Sequence, residues 1–112
     1  MNSAEKSKFR NRKPWKLFRA RLKKERKVDE LTHSRLSRTF NLHHLILTDK
    51  EEIYTDLTHP ENYMCLNPQS HDMLHLCYDN ARRDPEFMDR LNKAVQRMLE
   101  LNDSTNVKNP FV

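Results

Sequence analysis

Four of the six histidines in this 112-residue sequence fall into two tight groups. His71 and His75 are four residues apart, a spacing that places both rings on one face of a helix, where they could bind one metal ion. His43 and His44 are adjacent, and neighbouring side chains of a strand point to opposite faces. The residues therefore predict that one histidine of this pair binds the metal and the other acts as a general base. Each pair alone is also common on protein surfaces, so the prediction depends on their combination.

Short strands should position the adjacent histidines. Apolar residues are frequent over residues 40–47 and predict extended structure around the histidine pair, and a second strand-like run covers residues 63–66. The polar stretch between them, residues 48–61, predicts a long loop. This loop has three candidate apolar anchors: Ile53, Tyr54 and Leu57.

Three helices are predicted around the two strands. A proline and apolar residues at helical spacing predict a helix over residues 14–27. Asn67-Pro68 is typical of a helix start and predicts a helix to about residue 80 that carries His71 and His75. Asp84-Pro85 repeats this signal ahead of a predicted amphipathic helix of about five turns. Its apolar positions are Phe87, Leu91, Ala94, Val95, Met98 and Leu101.

The fold class predicted from this order is α+β, in a single small domain. Residues 1–12 are expected to be a disordered basic tail, residues 13–102 the domain, and residues 103–112 a polar tail. The catalytic core is placed at about residues 40–80. Residues 28–39 mix apolar and polar types and could contain a short helical turn.

Composition excludes several classes of protein. The sequence has no glycine, which excludes the Gly-rich phosphate loops of Walker-type and dinucleotide-binding proteins. Two cysteines, Cys65 and Cys77, are too few for a disulfide framework and favour a reducing compartment. The longest aliphatic run, Leu45–Leu47, is too short for a membrane span or a signal peptide. We therefore expect a cytoplasmic protein without a membrane partner.

Basic residues are concentrated at the start of the chain. Residues 1–27 contain 12 Lys and Arg against 2 Glu, whereas the other residues contain 9 basic and 14 acidic side chains. This asymmetry favours a polyanionic partner, because phosphate binding releases counterions. A solvated tail is the alternative, and a membrane-surface helix is a weaker one. The candidate nucleic-acid-binding residues are Lys6, Arg10, Arg12, Lys13, Lys16, Arg19, Arg21, Lys23 and Lys24.

Together these features resemble the HNH endonucleases, a family of the ββα-metal (His-Me finger) nucleases. The matching stretches are Leu42–Ile46, Glu61–Leu66 and Ser70–His75. The nine-residue step from Asn62 to His71 and the four-residue step to His75 are similar to those of colicin-type nuclease domains. Phage-type members often carry a helix with Trp, an aromatic residue and Arg ahead of the motif, and this sequence has Trp15, Phe18 and Arg19.

The resemblance implies a role for each residue of the motif. His43 would bind the metal ion together with His71 and His75. His44 would be the base that takes a proton from the attacking water. Asn62 would bridge the loop between the strands and hold His44 in its working orientation, although an ordinary turn residue is the alternative. The resemblance implies no role for the other two histidines, His33 and His59.

The sequence departs from the family at the structural zinc site that many members have. Val28 and Leu31 have the spacing of the first cysteine pair, and Asn67 and Ser70 occupy the positions of the second. None of the four is a thiol, so we expect no structural zinc and expect apolar packing in its place. Cys65 is predicted to be a small buried residue.

The function implied by the resemblance is hydrolysis of phosphodiester bonds in DNA by a phage-like stand-alone HNH endonuclease with one divalent ion. Three neutral imidazoles favour Zn, Ni, Co or Mn, with Mg possible. RNA is not excluded as substrate, and a homodimer is possible. One alternative is a catalytically inactive HNH-like regulatory module, stabilised by metal, that binds nucleic acid or protein. Another is a helical nucleic-acid-binding protein without metal.

Overall fold

The computed structural model describes residues 1–106, with side chains described through residue 103. In this part of the chain, five α-helices, one short 3₁₀ helix and one two-stranded antiparallel sheet confirm the α+β class. The chain divides into one compact unit, Met1–Met73, and a second unit that begins at Leu74. The elements are α1 (Ser3–Arg10), α2 (Lys13–Arg26), β1 (Asn41–His44), α3 (Glu51–Tyr54), the 3₁₀ helix (Pro60–Asn62), β2 (Tyr63–Leu66), α4 (Pro68–Ala81) and α5 (Phe87–Asn106).

Helix α1 occupies most of the stretch predicted to be a disordered tail, and that prediction is wrong for residues 3–10. Its first turn is closed by a capping box. The Asn2 side chain accepts from the Glu5 backbone N–H at 2.9 Å, and Glu5 accepts from the Asn2 backbone N–H at 3.0 Å. Phe9 then packs against the core, with its ring 5.8 Å from that of Trp15. The cap and this single apolar anchor fold a segment whose composition is otherwise that of a tail.

Helix α2 confirms the helix predicted over residues 14–27 and supplies one side of the core of the first unit. Trp15, Phe18 and Leu22 are its buried residues. The helix ends at Lys27, whose φ of 69° is left-handed and terminates the helical hydrogen bonding. Eight residues form the buried core cluster: Trp15, Phe18, Leu22, Leu36, Phe40, Leu42, Tyr63 and Cys65.

The two strands form a hairpin that pairs Asn41 with Leu66 and His44 with Tyr63. The prediction of extended structure is confirmed for these two short segments. Cys65 is fully buried, as expected. By contrast, Leu45–Leu47 does not continue β1 and its side chains are exposed. Strand β1 ends at His44 because of its partner: the residues that precede β2 form the 3₁₀ helix and not an extended strand with which Leu45–Leu47 could pair.

A buried carboxylate, Asp29, rather than apolar packing alone, contacts Leu31, Asn67 and Ser70, three of the positions compared above with zinc-binding cysteines. Asp29 accepts hydrogen bonds from the backbone N–H groups of Leu31 at 2.8 Å, Thr32 at 2.9 Å and Asn67 at 2.8 Å. Burial alone would raise the pKa of Asp29. The hydrogen bonds that its carboxylate accepts outweigh this effect and lower the pKa to about 2; they come from Thr32, Ser70, Asn67 and Leu31. Asp29 therefore joins its own loop to the start of α4, and the expectation of apolar packing is wrong.

The loop around Asp29 has no helix. In residues 28–39 the structure has turns and one isolated β-bridge, between Val28 and Arg35, in place of the short helical turn considered from the sequence. The Asn67 side chain completes the connection, since it accepts from the Ser37 backbone N–H at 2.8 Å and donates to the Arg35 carbonyl at 2.9 Å.

The segment predicted as a long loop contains α3 and the 3₁₀ helix. Of its candidate anchors, Tyr54 is buried and Leu57 packs against the core, whereas Ile53 is 39% exposed. Arg26 fastens the second half of the segment: its guanidinium donates to the Pro60 carbonyl at 2.6 Å and to the carbonyl of Tyr63.

The second unit contains the rest of α4 and the whole of α5. Both predicted helix starts are confirmed, since α4 begins at Pro68 and α5 begins shortly after Asp84-Pro85. Helix α5 extends into the expected polar tail as far as Asn106, and residues 107–112 of that tail lie outside the described residues. None of the described helices combines the length and the apolar character that crossing a membrane requires.

Candidate metal centre and active site

The hairpin and helix α4 bring together the three histidines predicted to bind a metal. His43 lies on β1, and its ring is 5.1 Å from that of His71 in the first turn of α4. His75 follows one turn later on the same unbroken helix, so it is on the same face as His71. The candidate ligand nitrogens of His43, His71 and His75 all lie within 4.8 Å of one another.

The chemistry of this donor set fits a divalent transition metal. Tetrahedral Zn–N bonds of about 2.0–2.1 Å place ligand nitrogens about 3.4 Å apart, so a spread of up to 4.8 Å is within reach of one ion after small side-chain adjustments. The three rings are partly buried, which shields them from bulk water without closing the site. Imidazole nitrogens also suit Zn, Ni, Co and Mn better than Mg, which prefers oxygen ligands.

His44 lies on the other side of β1, packed among aromatic rings. Its imidazole is sandwiched between Trp15, at 5.2 Å and 4° between planes, and Tyr54, at 4.1 Å and 11°. Tyr63 meets it edge-on at 4.9 Å. The strand therefore places the two histidines on opposite faces, with His43 beside His71 and His44 against the core.

A backbone carbonyl determines which nitrogen of His44 carries the proton. The Nε2 atom is 3.1 Å from the Tyr54 carbonyl oxygen, and a carbonyl can only accept a hydrogen bond. Nε2 is therefore the donor, and in the neutral ring Nδ1 has the lone pair. Burial lowers the pKa of His44; the Tyr54 carbonyl opposes this effect, and the charges of Arg10 and Lys6 add to it. Neutral His44 is the form that can accept a proton.

A cleft of about 250 Å³ opens beside His44. This volume is smaller than the roughly 300–1,000 Å³ of pockets that enclose a whole small ligand, and it suits part of a larger substrate. His59 lines the cleft as well, with its Nδ1 3.1 Å from Glu61 and its Nε2 3.7 Å from Asp56. The lining residues are His44, Ile46, Glu52, Ile53, Asp56, His59, Asn62 and Tyr63.

Asn62 lies where the 3₁₀ helix enters β2 and also lines the cleft. Its carbonyl accepts a hydrogen bond from the Leu45 backbone N–H at 2.9 Å, which ties the end of β1 to the start of β2. The Nε2 atom of His44, however, is hydrogen-bonded to the backbone carbonyl of Tyr54 and not to Asn62. From the sequence, Tyr54 was predicted only as an apolar anchor. The functional contribution of Asn62 stays a prediction.

The predicted nucleic-acid-binding residues divide into exposed and structural groups. Arg19 belongs to the fold: its guanidinium donates to the carbonyls of Phe40 at 2.6 Å and Arg38 at 3.2 Å and lies 3.8 Å from the centre of the Phe40 ring. Arg10 donates to the Tyr54 hydroxyl. Lys23 is half-buried. Lys6, on α1, is half-buried as well and pairs with Asp49 at 2.6 Å. The remaining members are exposed along the start and the outer face of α2: Arg12, Lys13, Lys16, Arg21 and Lys24.

Comparison of the chain with protein-family models, with curated proteins and with solved structures gives no match.

Proposed function

We propose that this protein is a metal-dependent endonuclease of the HNH type that hydrolyses phosphodiester bonds in DNA. The observation that carries the proposal is the convergence of His43, His71 and His75, with nitrogens within 4.8 Å of one another, together with a fourth histidine that follows His43 in sequence, lies on the opposite face of β1 and is held in a defined tautomer. A purely structural metal site requires the three ligands and gives no reason for His44 to line a cleft.

The metal would be held by His43, His71 and His75, and when bound it would supply charge stabilisation for a phosphate group. His44 accepts a proton at Nδ1 from a water molecule in the cleft. The water oxygen forms a bond to phosphorus, one P–O ester bond breaks, and the departing oxygen takes up a proton. General-base catalysis of this kind contributes about 10²–10⁴-fold to the rate.

The exposed basic residues of α2 are suited to hold the nucleic-acid backbone. Lys13, Lys16 and Lys24 present their charges to solvent, and phosphate contacts of this kind position a substrate without reading its sequence. DNA is the proposed substrate, and RNA is the alternative substrate included in the cleavage assay.

The test is cleavage of supercoiled plasmid and of single-stranded RNA with Zn²⁺, Ni²⁺, Co²⁺, Mn²⁺ or Mg²⁺, with EDTA as the metal-free control. We expect His44→Ala to reduce cutting by about 10²-fold or more while metal binding is retained, and His71→Ala to lose both. His33→Asn is the matched control: His33 is exposed, its φ is 60°, and asparagine tolerates this left-handed backbone.

Three outcomes would separate the proposal from its alternatives. Cutting unchanged by His44→Ala would refute the assignment of the base. Metal binding that raises the melting temperature, with no cutting of either nucleic acid, would favour a regulatory module stabilised by metal. Nucleic-acid binding without any metal binding would favour a helical binding protein.

A further inference from the structure

Tyr54 contacts His44 through both its side chain and its backbone. The phenol ring stacks on the imidazole at 4.1 Å, and the carbonyl oxygen lies 3.1 Å from Nε2. The stacked ring limits rotation of the imidazole plane, whereas the carbonyl selects the tautomer with hydrogen on Nε2. One residue thus determines both the orientation of His44 and the nitrogen that is left to accept a proton.

Helix α1 directs three side chains at Tyr54. Arg10 donates a hydrogen bond to the Tyr54 hydroxyl at 2.5 Å, and the Lys6 ammonium lies 5.1 Å from the centre of the Tyr54 ring. Phe9 meets the same ring edge-on at 5.9 Å. A residue that served only as an apolar anchor would need the contact with Phe9 but not the charged partners of its hydroxyl and ring.

The same helix also supports the other face of His44. Phe9 contacts Trp15 at 5.8 Å, and Trp15 stacks on His44 at 5.2 Å. We propose that Tyr54 is a positioning residue for His44 and that α1 holds it in place through Arg10. Only the catalytic consequence of this inference rests on the proposed function, because the positioning itself can be measured without any cutting.

The kinetic test is a double-mutant cycle, since Tyr54→Phe and Arg10→Ala remove the same hydrogen bond and both leave a ring stacked on His44. We expect each variant to lower kcat by about tenfold, with KM little changed by Tyr54→Phe, and the double variant to be no slower than either one. Lys8→Ala removes an exposed charge from the same helix and should leave kcat unchanged. Effects that multiply to about 100-fold would overturn the inference, because they would mean that the two residues act independently.

The second measurement is the NMR spectrum of the His44 ring protons in the full-length, metal-free protein. The rings of Trp15 and Tyr54 shift these resonances, so any loss of stacking moves them. Arg10→Ala is decisive, because it leaves every ring intact, and it should displace the His44 resonances while Lys8→Ala should not. Unchanged His44 resonances in Arg10→Ala would overturn the positioning role. Failure of the wild-type protein to cut nucleic acid would instead refute the proposed function.

Discussion

Asp29 and His44 obtain their properties from groups on more than one segment of the chain. Asp29 is fully buried, and its donors come both from its own loop and from the start of α4. His44 owes its orientation to the ring of Trp15 on α2 and to both the ring and the carbonyl of Tyr54 on α3. In both cases the chemistry of a single side chain depends on how precisely the hairpin and its loops are assembled.

We predict that Asp29→Asn destabilises the protein by about 2 kcal/mol at pH 7, because it removes the charge to which the backbone N–H groups donate. The folded pKa of about 2 lies below the ordinary 3.8, a difference that corresponds to about 2 kcal/mol. This contribution is complete above about pH 5 and is lost as the pH falls through the folded pKa. Urea unfolding of both proteins at pH 7 and pH 3 measures it.

The exposed Asp103→Asn serves as the control, with little change expected at either pH. The difference in unfolding free energy between wild type and Asp29→Asn should be smaller at pH 3 than at pH 7, because the stabilisation by the Asp29 carboxylate is lost as the pH falls. An equal difference at both pH values would contradict this role of the Asp29 carboxylate.

Spacing along the chain predicted that His71 and His75 share a helix face and that only one histidine of the adjacent pair joins them, whereas the resemblance to HNH endonucleases selected His43 as that candidate ligand. His71 and His75 are related by one helical turn, and His43 is separated from His44 by the alternation of a strand, so both relationships are visible in the sequence. Asp29 and Tyr54 could not be predicted in this way. Their partners are backbone groups and side chains that the fold brings from other segments, and no local pattern records them.

The hairpin and α4 position the three candidate metal ligands, and α1 supports the residues around His44 on the opposite face of β1. Capping signals and side-chain spacing predicted α2, α4 and α5, because each helix has a start signal and repeats one type of residue every three to four positions along one face. Helix α1 was missed since its one apolar anchor, Phe9, gives no periodic pattern. The end of β1 was missed because it depends on where the partner strand begins.

Removal of the α1 cap should loosen both α1 and Tyr54. We predict that Asn2→Ala costs about 1 kcal/mol in the local stability of α1, because the capping hydrogen bond to Glu5 is lost. Hydrogen exchange of the α1 amides should become faster, and the His44 resonances should move toward those of Arg10→Ala. Ser7→Ala, an exposed change in the same helix, is the control; equal exchange rates in the two variants would contradict the role of the cap.

The whole chain has a small core and a net charge of +5, with its basic residues concentrated in the first two helices. The core cluster of the first unit comprises only eight buried residues. A divalent ion held by β1 and α4 would add stability to this small core in proportion to its binding free energy. Metal binding at these three histidines would therefore be linked to folding as well as to the proposed chemistry.

Zinc binding to five purified proteins, measured by titration calorimetry, tests the central claim most directly. We predict one ion per chain for the wild type and for His44→Ala, and affinity reduced by at least about tenfold in His43→Ala, His71→Ala and His75→Ala. Wild-type protein that binds no ion, or a loss of affinity in His44→Ala equal to that in the other three variants, would contradict the claim that three histidines hold the metal and the fourth acts beside it.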